Sequence, residues 1–214
     1  MGIIKSGILG PMINKTGSVI GKIHKGQNVI TGISKKLKRR KKKTESQIIS
    51  RVRFGKLNSF LSDIKSLVTV GFKKMVKHNT AANAAYSYNF DHAFITVNGR
   101  LELNYPKLVY SIGDVEGPES PVLVTENGFL NISWFNMPQS INCQYSDLAT
   151  VLVYEPIEPD NVFFTETCKR SDLNVILDVS HFIGKSLHCY ICFATADGKH
   201  EGTSVYLGLI EVAG

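Results

Sequence analysis

The segment Leu130-Asn131-Ile132-Ser133-Trp134-Phe135-Asn136-Met137-Pro138 sets the fold class. Leu130, Ile132 and Trp134 fall on every second residue with Asn131 and Ser133 between them, so an extended chain puts three apolar side chains on one face. The same period of two recurs in Lys107–Ile112, Val122–Thr125, Leu130–Phe135, Ala149–Tyr154, Val162–Thr167, Asn174–Val179, His188–Thr195 and Ser204–Val212. Gly-Pro, Asn-Gly, Glu-Pro and Asp-Gly turns divide these runs. Short strands at this spacing predict an antiparallel β-sandwich over residues 99–214, and no helical window supports alternating strands and helices.

Upstream the period changes. Thr44-Glu45-Ser46-Gln47 reads as a capping box, and Ile49, Val52, Leu57, Phe60, Leu61, Ile64, Leu67 and Val68 follow at helical spacing. A second, alanine-rich helix is expected from Thr80 to Phe94, with Gly71 and Asn79 separating the pieces. Residues 44–98 therefore read as a helical linker. Residues 1–43 read as a basic arm punctuated by Gly2, Gly7, Gly10, Gly17, Gly21, Gly26 and Gly32. Within it, Ser18–Ile23 and Asn28–Thr31 flank His24-Lys25-Gly26-Gln27, the pattern of a short hairpin. The chain is thus expected to be mainly β, with one or two helices between a Gly-rich arm and the sandwich.

Charge is divided along the chain. Residues 1–78 hold 19 Lys or Arg against Glu45 and Asp63, whereas residues 79–214 hold 6 basic against 16 acidic residues. The densest point is Lys35, Lys36, Lys38, Arg39, Arg40, Lys41, Lys42 and Lys43, eight cations in nine residues, which repel one another unless solvated or neutralised by an anion. With Arg51 and Arg53 these are the expected nucleic-acid contacts. No helix-turn-helix, zinc finger or aromatic binding sheet accompanies them, so binding is expected to ignore base sequence.

Two resemblances add to this reading. Leu130–Trp134 with Met137-Pro138, then Val151–Tyr154, then Leu177 and Tyr190–Ala194 resemble a fibronectin type III or related immunoglobulin-like sandwich over residues 120–212. That resemblance implies that Trp134 and Tyr190 fill the core between two sheets. The whole chain also looks like an uncharacterised Bacteroidetes family of unknown function. The carrying residues are Gly7-Ile8-Leu9-Gly10-Pro11, Lys15-Thr16-Gly17-Ser18-Val19-Ile20-Gly21, Lys25-Gly26, Thr44 with Gln47 and Arg51, and Tyr206-Leu207-Gly208. No activity comes with this second resemblance.

Catalytic sets are not apparent. Cys189 and Cys192 have CxxC spacing but sit three apart in a strand, so their sulfurs point to opposite faces. With no export signal, Cys143, Cys168, Cys189 and Cys192 are expected to be reduced. His24, His78, His92, His181, His188 and His200 share no ligand spacing, and His188 reads as a structural or edge-strand residue. Asp178 and His181 have no accompanying nucleophile elbow. Glu155, Glu158 and Asp160 straddle Pro156 and Pro159 in what reads as a solvated turn without a calcium-loop pattern. The expectation is a non-enzymatic protein with no metal and no cofactor.

The leading functional expectation is a structural assembly protein that associates with copies of itself and contacts nucleic acid through the arm, as a virion coat or genome-packaging subunit does. The alternative is an immunoglobulin-like interaction module whose arm docks on an acidic protein. Neither reading needs a membrane, since no run of about 18 apolar residues exists. Without a classical signal sequence the expected location is cytoplasmic or within a virion.

Overall fold

A computed structural model describes residues 2–4, 11–24, 26–33, 43–76, 79–157 and 160–213. It divides into two compact units, Met1–Thr44 and Glu45–Gly214.

The first unit is one antiparallel sheet of β1 (Gly2–Ile4), β2 (Asn14–Thr16), β3 (Val19–His24) and β4 (Gln27–Gly32), in the order β1-β4-β3-β2. The hairpin expected from the sequence is β3–β4, closing at His24 and Gln27. Two further strands flank it, so the hairpin is not a lone ribbon, which would be marginal in water. Gly21 has a steric reason: a Cβ there would collide with the carbonyl of Met12. That carbonyl accepts from Asn28 Nδ2 at 2.9 Å.

The second unit begins with helices α1 (Glu45–Asp63), α2 (Lys65–Gly71) and α3 (Ala81–Asn89). Thr80 caps α3, its hydroxyl accepting from the Asn83 N–H at 3.3 Å. The hairpin β5 (Phe94–Val97) and β6 (Arg100–Leu103) follows. Then come β7 (Glu119–Glu126), β8 (Phe129–Phe135), β9 (Leu148–Glu155), β10 (Asp160–Phe164), β11 (Asn174–Asp178), β12 (Ser186–Ala194) and β13 (Val205–Glu211). They form two antiparallel sheets, β10-β9-β12-β13 and β11-β8-β7. Thr125 on β7 donates to the Glu211 carbonyl on β13, which ties one edge of the sandwich together.

The strands β9 and β12 are buried on both faces. Ala149, Val151, Val153, Leu187, Cys189, Ile191 and Phe193 meet Leu130, Ile132, Trp134, Val175 and Leu177 between the sheets. The alternate residues Leu152, Tyr154, Tyr190 and Cys192 pack instead with Leu57, Phe60, Leu61, Leu67, Val68, Ala84 and Ala85 of the helices. This is the strand period of two used twice, with an apolar layer on each side of one sheet. The stretch expected to be a linker is therefore a third layer of the body. Trp134 lies between the sheets as expected, edge-on to Phe193 with centroids 5.5 Å apart. Tyr190 does not: it is on the helix side, where its hydroxyl donates to the Tyr105 carbonyl at 2.8 Å.

Two other expectations need correction. Residues 107–112 form no strand; a 3-10 turn at Tyr105–Lys107 leads into an irregular segment. Its alternating burial, Leu108 and Tyr110 inward, arises because the segment threads between helices and sheet. Its backbone bonds go to side chains and single carbonyls. Asn89 Oδ1 accepts from the Val109 N–H, Ser204 Oγ from the Tyr110 N–H, and the Gly71 carbonyl from the Ile112 N–H. The helix expected from Thr80 to Phe94 ends instead at Asn89, and Phe94 opens the β5–β6 hairpin, which turns at Asn98-Gly99.

Candidate functional site

Of the basic residues expected to contact nucleic acid, Lys43 and Arg51 are exposed. Arg53 is half-buried with its guanidinium 5.5 Å from the Phe94 ring centroid. Lys35, Lys36, Lys38, Arg39, Arg40, Lys41 and Lys42 lie outside the described residues.

Cys189, Cys192, Asp178 and Glu155 are each held by burial or a local hydrogen bond. Cys189 and Cys192 face opposite layers, and burial pushes their thiols up to about 12 and about 11. All four cysteines are free. The Ser180 hydroxyl, and then the Ser180 N–H that donates to Asp178 Oδ1 at 2.9 Å, hold the Asp178 pKa below the usual value. Glu155 was expected in a solvated turn but ends β9 with 2% exposure, accepting from the Ile157 N–H at 2.8 Å. Glu158 and His78 lie outside the described residues. Among the described residues no three His, Cys, Asp or Glu side chains are grouped to hold a metal, and no helix is long and apolar enough to cross a membrane.

Arg170 was not singled out from sequence, and it is fully buried. Its Nε meets Asp147 Oδ2 at 3.3 Å, Nη1 donates to the Gly117 carbonyl at 3.2 Å, and Nη2 donates to the Glu116 carbonyl. The guanidinium lies 3.9 Å from the Phe193 ring centroid, and the Arg170 carbonyl accepts from the Trp134 indole N–H. A charge this deep persists only when paired and hydrogen-bonded, so the residue clamps three loops onto the sandwich core.

An open cleft of about 610 Å³ lies over the helix-facing side of β9 and β12. Phe60 of α1, Tyr105, Tyr154 and His188 form its aromatic walls, with Lys56 and Glu102 also lining it. The rings interlock: Phe60 is edge-on to Tyr154 with centroids 5.0 Å apart, and Tyr105 stacks on His188 at 3.9 Å with planes 20° apart. His188, on interior strand β12 and not at an edge, is 9% exposed, and its Nδ1 pairs with the Tyr206 hydroxyl at 2.9 Å. Burial lowers its pKa to about 4, so the imidazole is uncharged at neutral pH. Tyr154 Oη donates to Asp63 Oδ2 at 3.3 Å. Tyr105 is pushed up to about 12, first by burial and then by the Glu102, Glu155 and Asp63 carboxylates.

Tyr206 reaches His188 from β13, where the register with β12 slips by one residue. Gly208 lies opposite Cys189 at this bulge with φ of +148°, a backbone that a side chain would strain. Tyr206-Leu207-Gly208, a motif in the sequence, thus supports His188 from β13.

Among curated protein sequences none matches the chain. Of solved structures, the chicken CNTN1 FN1-FN3 domains are similar with a TM-score of 0.34 and 9% identity, over 48% of this chain. The match spans 33% of that structure's own chain. Residues 7–208 match the model of DUF6266, a family of unknown function, and the chain belongs to that family.

Proposed function

We propose that this is a non-enzymatic assembly protein whose body associates with further copies of itself and whose basic arm attaches to nucleic acid without reading its sequence, in the manner of a virion coat or genome-packaging subunit. The observation that carries the reading is where the charge divides. Met1–Thr44 contains twelve Lys or Arg and no Asp or Glu, whereas Glu45–Gly214 contains thirteen against eighteen. A polyanion is the natural partner for the first unit, with Lys35, Lys36, Lys38, Arg39, Arg40, Lys41, Lys42 and Lys43 as the main contacts and Arg51 and Arg53 beside them. The outer face of β7, β8 and β11 supports a protein partner for the body: Val122, Val124, Phe129, Phe135 and Ile176 all stand exposed there, Phe135 by 67%.

The same exposed face favours a second reading, an interaction module for a different protein, with the arm resting on that protein's acidic surface. Gel filtration with and without duplex DNA at two salt concentrations separates them. Large, salt-sensitive complexes with DNA support assembly on nucleic acid; an unchanged monomer peak in all four runs overturns it in favour of the module.

A further inference from the structure

We infer that the cleft over β9 and β12 is a receptor for a basic side chain, a lysine or arginine presented by a partner peptide and held among the Tyr105 phenol, the second ring nitrogen of His188 and the Glu102 carboxylate. The inference is independent of the cationic arm and survives or fails apart from it.

Shape is the first ground. The cleft is about 610 Å³, walled by Phe60, Tyr105, Tyr154 and His188, with Pro156 and Ile157 at one side. An aromatic enclosure receives the methylene stem of a long side chain and attracts its charged head through the ring quadrupole. Charge is the second ground. Glu102 lines the cleft, and Glu155 and Asp63 are near enough to act on the Tyr105 hydroxyl, while Lys56 is the cation among the lining residues. Glu102 is the carboxylate that an ammonium or guanidinium would meet in the cleft, with Glu155 and Asp63 adding negative potential at the Tyr105 hydroxyl.

His188 is the third ground. It is more than nine-tenths buried, lines the cleft, and has Nδ1 committed to the Tyr206 hydroxyl. Among the described residues its Nε2 makes no hydrogen bond and is open to the solvent of the cleft. In the tautomer that donates the Nδ1 proton to Tyr206 Oη, the one this inference requires, Nε2 carries the lone pair that an ammonium or guanidinium N–H needs. An imidazole kept neutral adds this acceptor without adding a repelling charge.

The test titrates the full-length protein with acetyl-trilysine amide and, as the uncharged control, acetyl-triglutamine amide, followed by calorimetry and the tyrosine ring resonances. Trilysine is expected to bind and to shift Tyr105. Glu102→Gln should weaken it about fivefold and Lys56→Glu should tighten it by about the same factor, the scale of one charge-assisted contact. Both positions are exposed, so neither change threatens folding. Glu126→Gln, on the outer face of β7, should leave binding unchanged. The inference is overturned if trilysine does not bind, if triglutamine binds equally well, or if Glu126→Gln costs as much as Glu102→Gln.

Discussion

Met1–Thr44 and Glu45–Gly214 differ both in the charge they carry and in what they bury. In the first unit, among the described residues, Val29 and Asn28 are the buried side chains of a sheet whose sequence is entirely free of carboxylates. The second has an apolar cluster on each face of β9 and β12 and an acidic excess at its surface. On the proposed reading the first unit attaches to a polyanion and the second is a packed body, so changes in the second should be felt in stability and changes in the first in polyanion binding.

The largest expected effect is at Arg170. Arg170→Ala leaves Asp147 buried without its cation and removes the bonds to Glu116 and Gly117, and should cost about 3–5 kcal/mol of unfolding free energy in urea. Nucleic-acid retention per folded molecule should not move; if it does, the two units are not separable in this sense. Leu152→Ala comes next, at about 2–5 kcal/mol, because the helix-facing side of β9 is as closed as the sandwich side. A cost below about 1 kcal/mol would make the helices a loosely attached layer.

A smaller effect follows from His188. Folding lowers its pKa from 6.5 to about 4, so the unfolded chain takes up the proton first as pH falls. Stability from this group is complete above about pH 6.5 and declines toward pH 4. A His188→Gln variant should show a flatter stability profile across that window, measured by thermal melts at fixed ionic strength. Tyr190→Phe should cost about 1 kcal/mol by leaving the Tyr105 carbonyl without its donor.

The sandwich was legible because Leu130, Ile132 and Trp134 alternate with polar residues and because turn dipeptides bound each run. The opposite directions of Cys189 and Cys192 followed from the same period. What the period cannot say is which layer each face meets. Tyr190 and Leu152 alternate as faithfully as Ile191 and Val151, yet they meet helices and not a second sheet. Leu108 and Tyr110 alternate without belonging to a ladder, since threading between two layers imposes the same pattern as pairing. The Asn98-Gly99 turn was a readable hairpin signal, masked by an overlong helix. The cleft was the least legible part: Phe60, Glu102, Tyr105, Tyr154 and His188 are scattered over the chain, and only tertiary packing gathers them. Arg170 looked like any surface arginine because its partners are two backbone carbonyls and a carboxylate 23 residues away.

The smallest expected effect on stability, and the most direct test of the division between attachment and body, comes from the arm. Replacing Lys38, Arg39, Arg40, Lys41, Lys42 and Lys43 with Gln should leave the melting temperature unchanged while abolishing most retention on duplex DNA. In the unaltered chain, the log–log slope of affinity against salt should be about −7, the value for eight phosphate contacts, and should flatten to about −2 in the variant, which keeps Lys35 and Lys36. Retention and slope that match the unaltered chain would contradict the assignment of the arm to nucleic acid.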